Sequence, residues 1–141
     1  MPETHDSYVE KGFVKKSLHK LIGSLRQKNS LRPDWLIDDQ KSLSIFITFS
    51  KADQLFYDIS IDDLKNFLVF DRSFVLFVLG KNEKVLVVPF LEILKNILEL
   101  NLARDGAVKL HVSQSAGRIY FKETPDFNMG KYLNKYAILL G

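Results

Sequence analysis

The chain has 141 residues, of which 46% are apolar and 26% are charged, and its formal net charge is +3. This size and composition are typical of one globular domain and exclude a disordered, a collagenous or a coiled-coil chain. The sequence contains no cysteine, so disulfides, thiolate catalysis and cysteine-ligated metal sites are excluded as well. No apolar run approaches the roughly 18–20 residues of a membrane helix. We therefore expect a soluble, cytoplasmic protein that contacts no membrane.

The basic beginning of the chain is predicted to be a helix within residues 1–32. Ser7 and Glu10 have the spacing of a capping box. Apolar residues then recur at helical intervals, as Val14, Leu18, Leu21, Ile22 and Leu25. The other face is basic, with Lys15, Lys16, His19, Lys20 and Arg26. A solvated surface helix and a helix that contacts phosphates both fit this pattern.

The next segment is acidic, with eight aspartates against three lysines over residues 33–71. A period-two pattern predicts a half-buried strand with one apolar face made of Leu43, Ile45, Ile47 and Phe49. The segment from Gln54 to Ile59 is predicted to pair back on this strand. A short helix should follow, because Asp62 and Asp63 are acids of the kind that the first turn of a helix favours.

The third segment is the most apolar. The stretch from Phe74 to Leu79 is apolar on both faces, as expected of a central strand, and a turn leads from it into a second strand that ends at Pro89. We expect this hairpin at the centre of the sheet. The helix that begins at Phe90 is predicted to be buried on most sides, because its apolar residues occupy more than one face.

The last third alternates between apolar and polar residues, which predicts a hairpin with one outward face. That face is basic and aromatic, with Lys109, His111, Arg118, Tyr120 and Lys122. It fits a solvated surface, and it equally fits a surface that contacts the phosphates of a duplex while nearby Gln, Ser and Arg side chains contact base edges. The apolar residues from Tyr132 to Leu140 are predicted to cover an open end of the sheet.

Motifs of common enzymes are missing from the sequence. It has no glycine-rich phosphate loop, no dinucleotide fingerprint, no Gly-x-Ser-x-Gly elbow and no His-Glu-x-x-His. Asp63, Leu64 and Lys65 have the letters of a metal-dependent nuclease motif. Asp58 lies too close to them for a hairpin to fit between the two acids, so an acidic helical turn is the preferred interpretation. No catalytic residue, metal site or cofactor is predicted.

The order of elements and their local patterns have a counterpart in a known group of domains. The segments concerned run from Tyr57 to Ser60, Phe74 to Gly80, Glu83 to Pro89, Lys109 to Val112 and Tyr132 to Tyr136. In these, across residues 43–140, the chain resembles the non-catalytic recognition domains of prokaryotic restriction systems. Those domains are B-three-like and PUA-like pseudo-barrels, found in McrBC-type, LlaJI-type and HNH-type restriction proteins. The resemblance implies a DNA-binding domain whose motor and cleavage site lie elsewhere.

The resemblance also implies site residues. In the B-three-like group two loops grip the major groove, and by order of elements they correspond here to residues 50–54 and 114–118. Phosphate contacts are then assigned to Lys41, Lys51, Arg118 and Lys122, and base-edge contacts to Gln54, Gln114, Ser115 and Arg118. In the PUA-like group an aromatic cage takes up a flipped, modified base, and its walls would be Trp35, Phe56 or Tyr57. For Trp35 a plug at the domain edge is the alternative.

We therefore predict one α+β domain with a basic N-terminal helix, a strongly curved mixed or antiparallel sheet that forms an open pseudo-barrel over residues 43–140, and a buried helix after Pro89. The predicted function is recognition of double-stranded DNA, without catalysis, for a restriction endonuclease subunit. The predicted partners are the duplex and the catalytic or motor domain of the same system. Two alternatives stay open: a protein-interaction or regulatory domain that binds an acidic partner, and a small metal-dependent nuclease.

Overall fold

A computed structural model describes residues 14–28, 34–49, 56–79, 84–96, 107–115, 117–122 and 124–141. Helix α1 covers residues 14–21, and α2 and α3 are Ile61–Phe67 and Phe90–Asn96. The strands are β1 Arg26–Gln27, β2 Trp35–Asp38, β3 Leu43–Phe49, β4 Phe56–Ser60, β5 Arg72–Val78, β6 Val85–Pro89, β7 Ala107–Ser115, β8 Arg118–Phe121 and β9 Thr124–Asn128. Two 3-10 helices, Gly130–Tyr132 and Tyr136–Leu140, complete the chain.

The described strands form two sheets. The first is five-stranded in the order β1-β2-β3-β5-β6, and the second is four-stranded in the order β4-β7-β8-β9. The first sheet is mixed, because β3 and β5 are parallel while its other neighbours are antiparallel. The predicted α+β class with a mixed sheet is therefore confirmed. No closed barrel forms within the described residues.

Two hydrophobic clusters lie on opposite faces of the first sheet. Alternate residues such as Val75 and Phe77 face the second sheet and the helices α2 and α3. Their neighbours, such as Leu76, face α1 and the C-terminal 3-10 helix, where Leu139 is buried. Strand β5 has both faces covered, so its apolar sequence is explained by its place between two cores. The first sheet is the middle layer of the molecule.

One helix prediction and two strand predictions need correction. The predicted N-terminal helix ends early, because Gly23 interrupts it and Arg26–Gln27 pairs with β2 as a strand. Strand β4 does not pair back on β3 but joins β7 in the second sheet, with Tyr57 opposite Leu110. The β5–β6 hairpin exists, but only β5 is central, since β6 is the last strand of its sheet.

Strand β6 is covered along its outer edge by the C-terminal segment, as predicted. The side-chain Oδ1 of Asn134 accepts a hydrogen bond of 2.8 Å from the Val85 amide, and the Asn134 amide donates one of 2.7 Å to the Val85 carbonyl. Leu133 forms an isolated bridge to Leu86. These contacts occupy backbone groups that an edge strand otherwise exposes.

Helix α3 is less buried than predicted. Phe90 and Ile93 are buried, whereas Leu91 is 67% exposed, so one flank of the described helix faces water. The sequence alone could not show this, because apolar residues on several faces of a helix are typical of a buried helix. Among the described residues, no helix is long and apolar enough to span a membrane.

Candidate nucleic-acid interface

The β7–β8 hairpin has the inward and outward faces that its alternation predicted. Ile119 and Phe121 are buried against the core, and Phe121 packs edge-on against Phe77 of the first sheet at 5.2 Å between ring centroids. Arg118 and Lys122 are exposed, and Tyr120 between them is half-buried. Because Ile119 and Phe121 are anchored in the core, the alternate residues Arg118, Tyr120 and Lys122 point away from it.

Arg118 is held in place by two contacts on the surface of the second sheet. Its Nη2 donates a hydrogen bond of 2.7 Å to the carbonyl of Pro125. Its guanidinium carbon lies 5.3 Å from the ring centroid of Tyr120, a cation–π distance. A guanidinium has five N–H donors, so this arrangement orients the group while leaving donors for an anion. The role of Pro125 could not be predicted from the sequence, because it comes from a backbone carbonyl, which every residue has.

The end of the hairpin carries three of the predicted contact residues. Gln114 and Ser115 are exposed at the end of β7, and Ser115 is the direct register partner of Arg118. Gly117 has a φ of 74°, in the left-handed region that glycine favours, and no atom lies within 4 Å of the place where a Cβ would be. The tight turn therefore depends on the backbone freedom of Gly117. It brings Ser115 and Arg118 together on the outward face, whereas Gln114 is the register partner of the buried Ile119 and belongs to the other face of the hairpin.

Lys122 extends the same surface along β7. Its backbone amide donates a hydrogen bond of 2.8 Å to the carbonyl of His111. Further along, Lys109 is the register partner of Asp58 on β4, so the positive charge of this face is partly balanced at that end. At the other end of the hairpin Arg118 and Lys122 are exposed cations, and the neighbouring strand β9 carries the exposed Asp126.

The remaining predicted contact residues are not brought to this hairpin. Lys41 is exposed on the turn between β2 and β3, in the first sheet. Its neighbours there are acidic: Asp38 is buried, and Asp39 pairs with Arg26 at 2.8 Å. Lys51 and Gln54 lie outside the described residues, so the predicted loop over residues 50–54 has no described position.

The basic helix α1 also lies away from the hairpin. The first sheet has two faces, and one of them packs against the second sheet. The apolar residues of α1 pack on the other face. Lys15 forms an ion pair with Asp34, with 3.6 Å between Nζ and Oδ1, whereas Lys16 and Lys20 are exposed. The two basic surfaces predicted from the sequence are therefore separated by the middle layer of the molecule.

The predicted aromatic cage is not formed by Trp35 and Tyr57, because both side chains are fully buried. The Trp35 indole donates a hydrogen bond of 2.8 Å to the Ser44 hydroxyl and packs edge-on against Phe67. The Tyr57 hydroxyl donates to the carbonyl of Val78, and burial raises the pKa of this phenol. Both residues fill the core, so neither is open to an extruded base. The side chain of Phe56 is outside the described part.

Asp62 and Asp63 have a helical explanation, whereas Asp58 lies on strand β4. Asp63 lies in the first turn of α2, and its backbone amide donates a hydrogen bond of 3.1 Å to the hydroxyl of Ser60, the N-cap residue. The preferred interpretation of these acids is thus confirmed. Within the described ranges, no group of three or more His, Asp or Glu side chains is arranged to hold a metal ion.

The chain matches no protein-family model, and it has no significant match among curated proteins or solved structures.

Proposed function

We propose that this chain is a non-catalytic domain that recognises double-stranded DNA for a restriction endonuclease subunit. The observation that carries the proposal is the end of the β7–β8 hairpin, where an oriented Arg118 lies opposite the exposed Ser115. As part of the same proposal, the two sheets form an open, strongly curved pseudo-barrel of the B-three-like or PUA-like kind. The partners of the domain would be the duplex and the catalytic or motor domain of the restriction system.

The hairpin suits a duplex for geometric reasons. The major groove of B-DNA accommodates a two-stranded β-ribbon. In such a complex Lys122 contacts a phosphate, which positions the domain. The guanidinium of Arg118 then contacts a base edge, where Arg matches guanine, and the hydroxyl of Ser115 contacts a neighbouring base. The rigid support of Arg118 by Tyr120 and Pro125 lowers the entropy lost when it contacts a base.

The first test is a fluorescence-anisotropy titration of a labelled random-sequence duplex. Affinity should fall steeply between about 50 mM and about 200 mM salt, because cations that contact phosphates release counterions. An anionic polypeptide serves as the control. Salt-dependent binding to DNA alone supports the proposal, whereas binding to the polypeptide alone supports the alternative of a domain for an acidic protein partner.

A matched pair of variants tests the location of the interface. Lys122→Gln removes one positive charge from the hairpin, and Lys16→Gln removes the same charge from exposed helix α1. We expect Lys122→Gln to reduce the slope of log affinity against log salt by about 0.9, the contribution of one phosphate contact. Lys16→Gln should leave the slope unchanged. Equal effects of the two substitutions would show that the hairpin has no special role.

A further inference from the structure

Asn128 of β9 adds an amide to the basic and aromatic face of the β7–β8 hairpin. It is the register partner of Tyr120, so the two side chains lie beside each other on one face of the second sheet. That face is the outward one, because Ile119 and Phe121 on either side of Tyr120 are buried. Met129 is buried as well, and its amide donates a hydrogen bond of 2.7 Å to the carbonyl of Ile119. Asn128 is exposed and therefore faces solvent beside Tyr120.

The side chain of Asn128 is oriented by the backbone that follows it. Its Oδ1 accepts a hydrogen bond of 2.9 Å from the Gly130 amide. This bond uses one of the two lone pairs of Oδ1 and leaves both N–H donors of Nδ2 available. In the described part of the chain, no acceptor lies within hydrogen-bond distance of Nδ2. The amide can therefore offer a ligand one donor and one acceptor side by side.

Arg118 brings its guanidinium to the same part of the face. Its guanidinium carbon lies 5.3 Å from the ring centroid of Tyr120, and its Nη2 donates to the Pro125 carbonyl on β9. Asn128 lies across from the same ring on the neighbouring strand. From the spacing of strands and of residues along them, the Cα atoms of Arg118 and Asn128 are roughly 8 Å apart. A guanidinium and an amide are thus grouped around one aromatic ring.

The two groups select different bases. A guanidinium matches the O6 and N7 acceptors of guanine, whereas a carboxamide matches adenine, because it donates to N7 and accepts from the N6 amino group. Asn128 has the required donor in Nδ2 and the required acceptor in the second lone pair of Oδ1. The major groove is about 12 Å wide and neighbouring strands are about 4.8 Å apart, so β9 enters it beside β8.

We infer that Asn128 is a specificity-determining residue of the proposed DNA interface and that it contacts adenine in the major groove. This inference rests on the proposed function and extends the interface from the β7–β8 hairpin to β9. Base pairs stack roughly 3.4 Å apart, so a separation of roughly 8 Å between Arg118 and Asn128 predicts a preferred site with a guanine and an adenine within about three base pairs of each other.

The test compares a duplex that contains adenine with the same duplex that contains 7-deazaadenine, in which a C–H group replaces the N7 acceptor. The duplex is the preferred site selected by the parent chain from a random pool, and anisotropy titration gives both affinities. The parent should bind the adenine duplex at least about fivefold more tightly, because the analogue leaves an Asn128 donor unpaired. A ratio near one at every adenine of the selected site, or a site without adenine, would overturn the inference.

A substitution of Asn128 separates the base contact from the local fold. In Asn128→Asp the carboxylate keeps an acceptor for the Gly130 amide but has no donor for N7, so the ratio should fall to about one. Asn66→Asp adds the same charge at an exposed position of α2 and should keep the parent ratio. Both duplexes carry the same phosphates, so the ratio is independent of the added charge and of Asp126. An Asn128→Asp chain that still distinguishes the two duplexes would contradict the inference.

Binding to random-sequence duplexes distinguishes this inference from the proposed function. If the parent chain binds no duplex at about 50 mM salt, both are overturned. If it binds with a salt dependence that Lys122→Gln reduces, while Asn128→Asp retains the preference for adenine over 7-deazaadenine, the proposed function stands and this inference alone fails.

Discussion

The indole N–H of Trp35 donates a hydrogen bond of 2.8 Å to the hydroxyl of Ser44, and both residues are fully buried. The bond runs between neighbouring strands β2 and β3, diagonally to the register in which Trp35 lies opposite Phe46. It allows the largest side chain of the protein to enter the core with its one polar group satisfied. The tryptophan is therefore part of the scaffold that positions α2.

Ser44→Ala should destabilise the fold by about 1–3 kcal/mol, because it leaves a buried indole N–H without its acceptor. Urea unfolding followed by tryptophan fluorescence measures the change in free energy of unfolding. Ser115→Ala, at the exposed hairpin end, is the control and should change stability by less than about 0.5 kcal/mol. Equal stabilities of the two variants would mean that the indole has another acceptor.

Asp38 should make the stability depend on pH at the acidic end. Its buried carboxylate accepts hydrogen bonds from the Ser24 hydroxyl at 2.6 Å and the Gln40 amide at 3.1 Å. The Ser24 bond is the main reason that the pKa of Asp38 lies below its ordinary value of 3.8. Since the folded-state pKa is lowered, the stabilisation is present above the unfolded-state pKa and is lost as the pH falls through the folded-state pKa.

We therefore expect the free energy of unfolding to fall more between about pH 6 and about pH 3 in the parent chain than in Asp38→Asn. Denaturation at several pH values provides the measurement. Asp126→Asn, which removes an exposed carboxylate from β9, should retain the pH dependence of the parent. A curve for Asp38→Asn that runs parallel to the parent curve would contradict the assignment.

Asn134 combines a hydrogen-bonding role with an unusual backbone conformation. Its φ is 53°, and its side chain accepts from the Val85 amide at the edge of β6. Asn134→Gly keeps the conformation accessible and removes the acceptor, which should cost about 1 kcal/mol. Asn134→Ala adds left-handed strain of about 1–2 kcal/mol to that loss. Thermal and urea denaturation should thus rank asparagine above glycine and glycine above alanine, and any other order would refute this explanation.

Arg118→Ala tests how the proposed interface contacts DNA, once a preferred site has been selected from a random pool. A base-edge contact predicts a loss of about 1–3 kcal/mol of binding free energy that is confined to the preferred site. An equal loss on all duplexes would assign Arg118 to a phosphate. No loss on any duplex would remove it from the interface.

Local sequence patterns predicted the elements that depend on local physics. The alternation in β3 and in the β7–β8 hairpin, and the acidic first turn of α2, appear in the structure where the pattern places them. The pairing partner of a strand cannot be predicted in this way. An alternating sequence shows which side chains share a face of the strand, but it does not show which other strand lies beside it. For this reason the sequence predicts β3 as the partner of β4, whereas β4 pairs with β7, some fifty residues later in the chain.

In the candidate site, too, the features set by local sequence were predictable and those set by contacts between distant segments were not. Alternation placed Arg118 and Lys122 on the outward face, and the structure agrees. The Pro125 carbonyl that holds Arg118 belongs to β9, a strand without a clear alternating pattern. The burial of Trp35 and Tyr57 likewise depends on contacts between distant segments, namely Phe67 for the indole and Val78 for the phenol. Composition alone cannot distinguish such a core aromatic from an exposed cage wall.

The chain crosses repeatedly between its two sheets: β1 to β3 belong to the first sheet, β4 to the second, β5 and β6 to the first, and β7 to β9 to the second. The C-terminal segment then returns to the edge of β6. No single cut in the sequence separates one sheet from the other, so neither can be inherited or expressed as an autonomous half. Such interleaving gives a high contact order, and we expect slow folding in one cooperative transition.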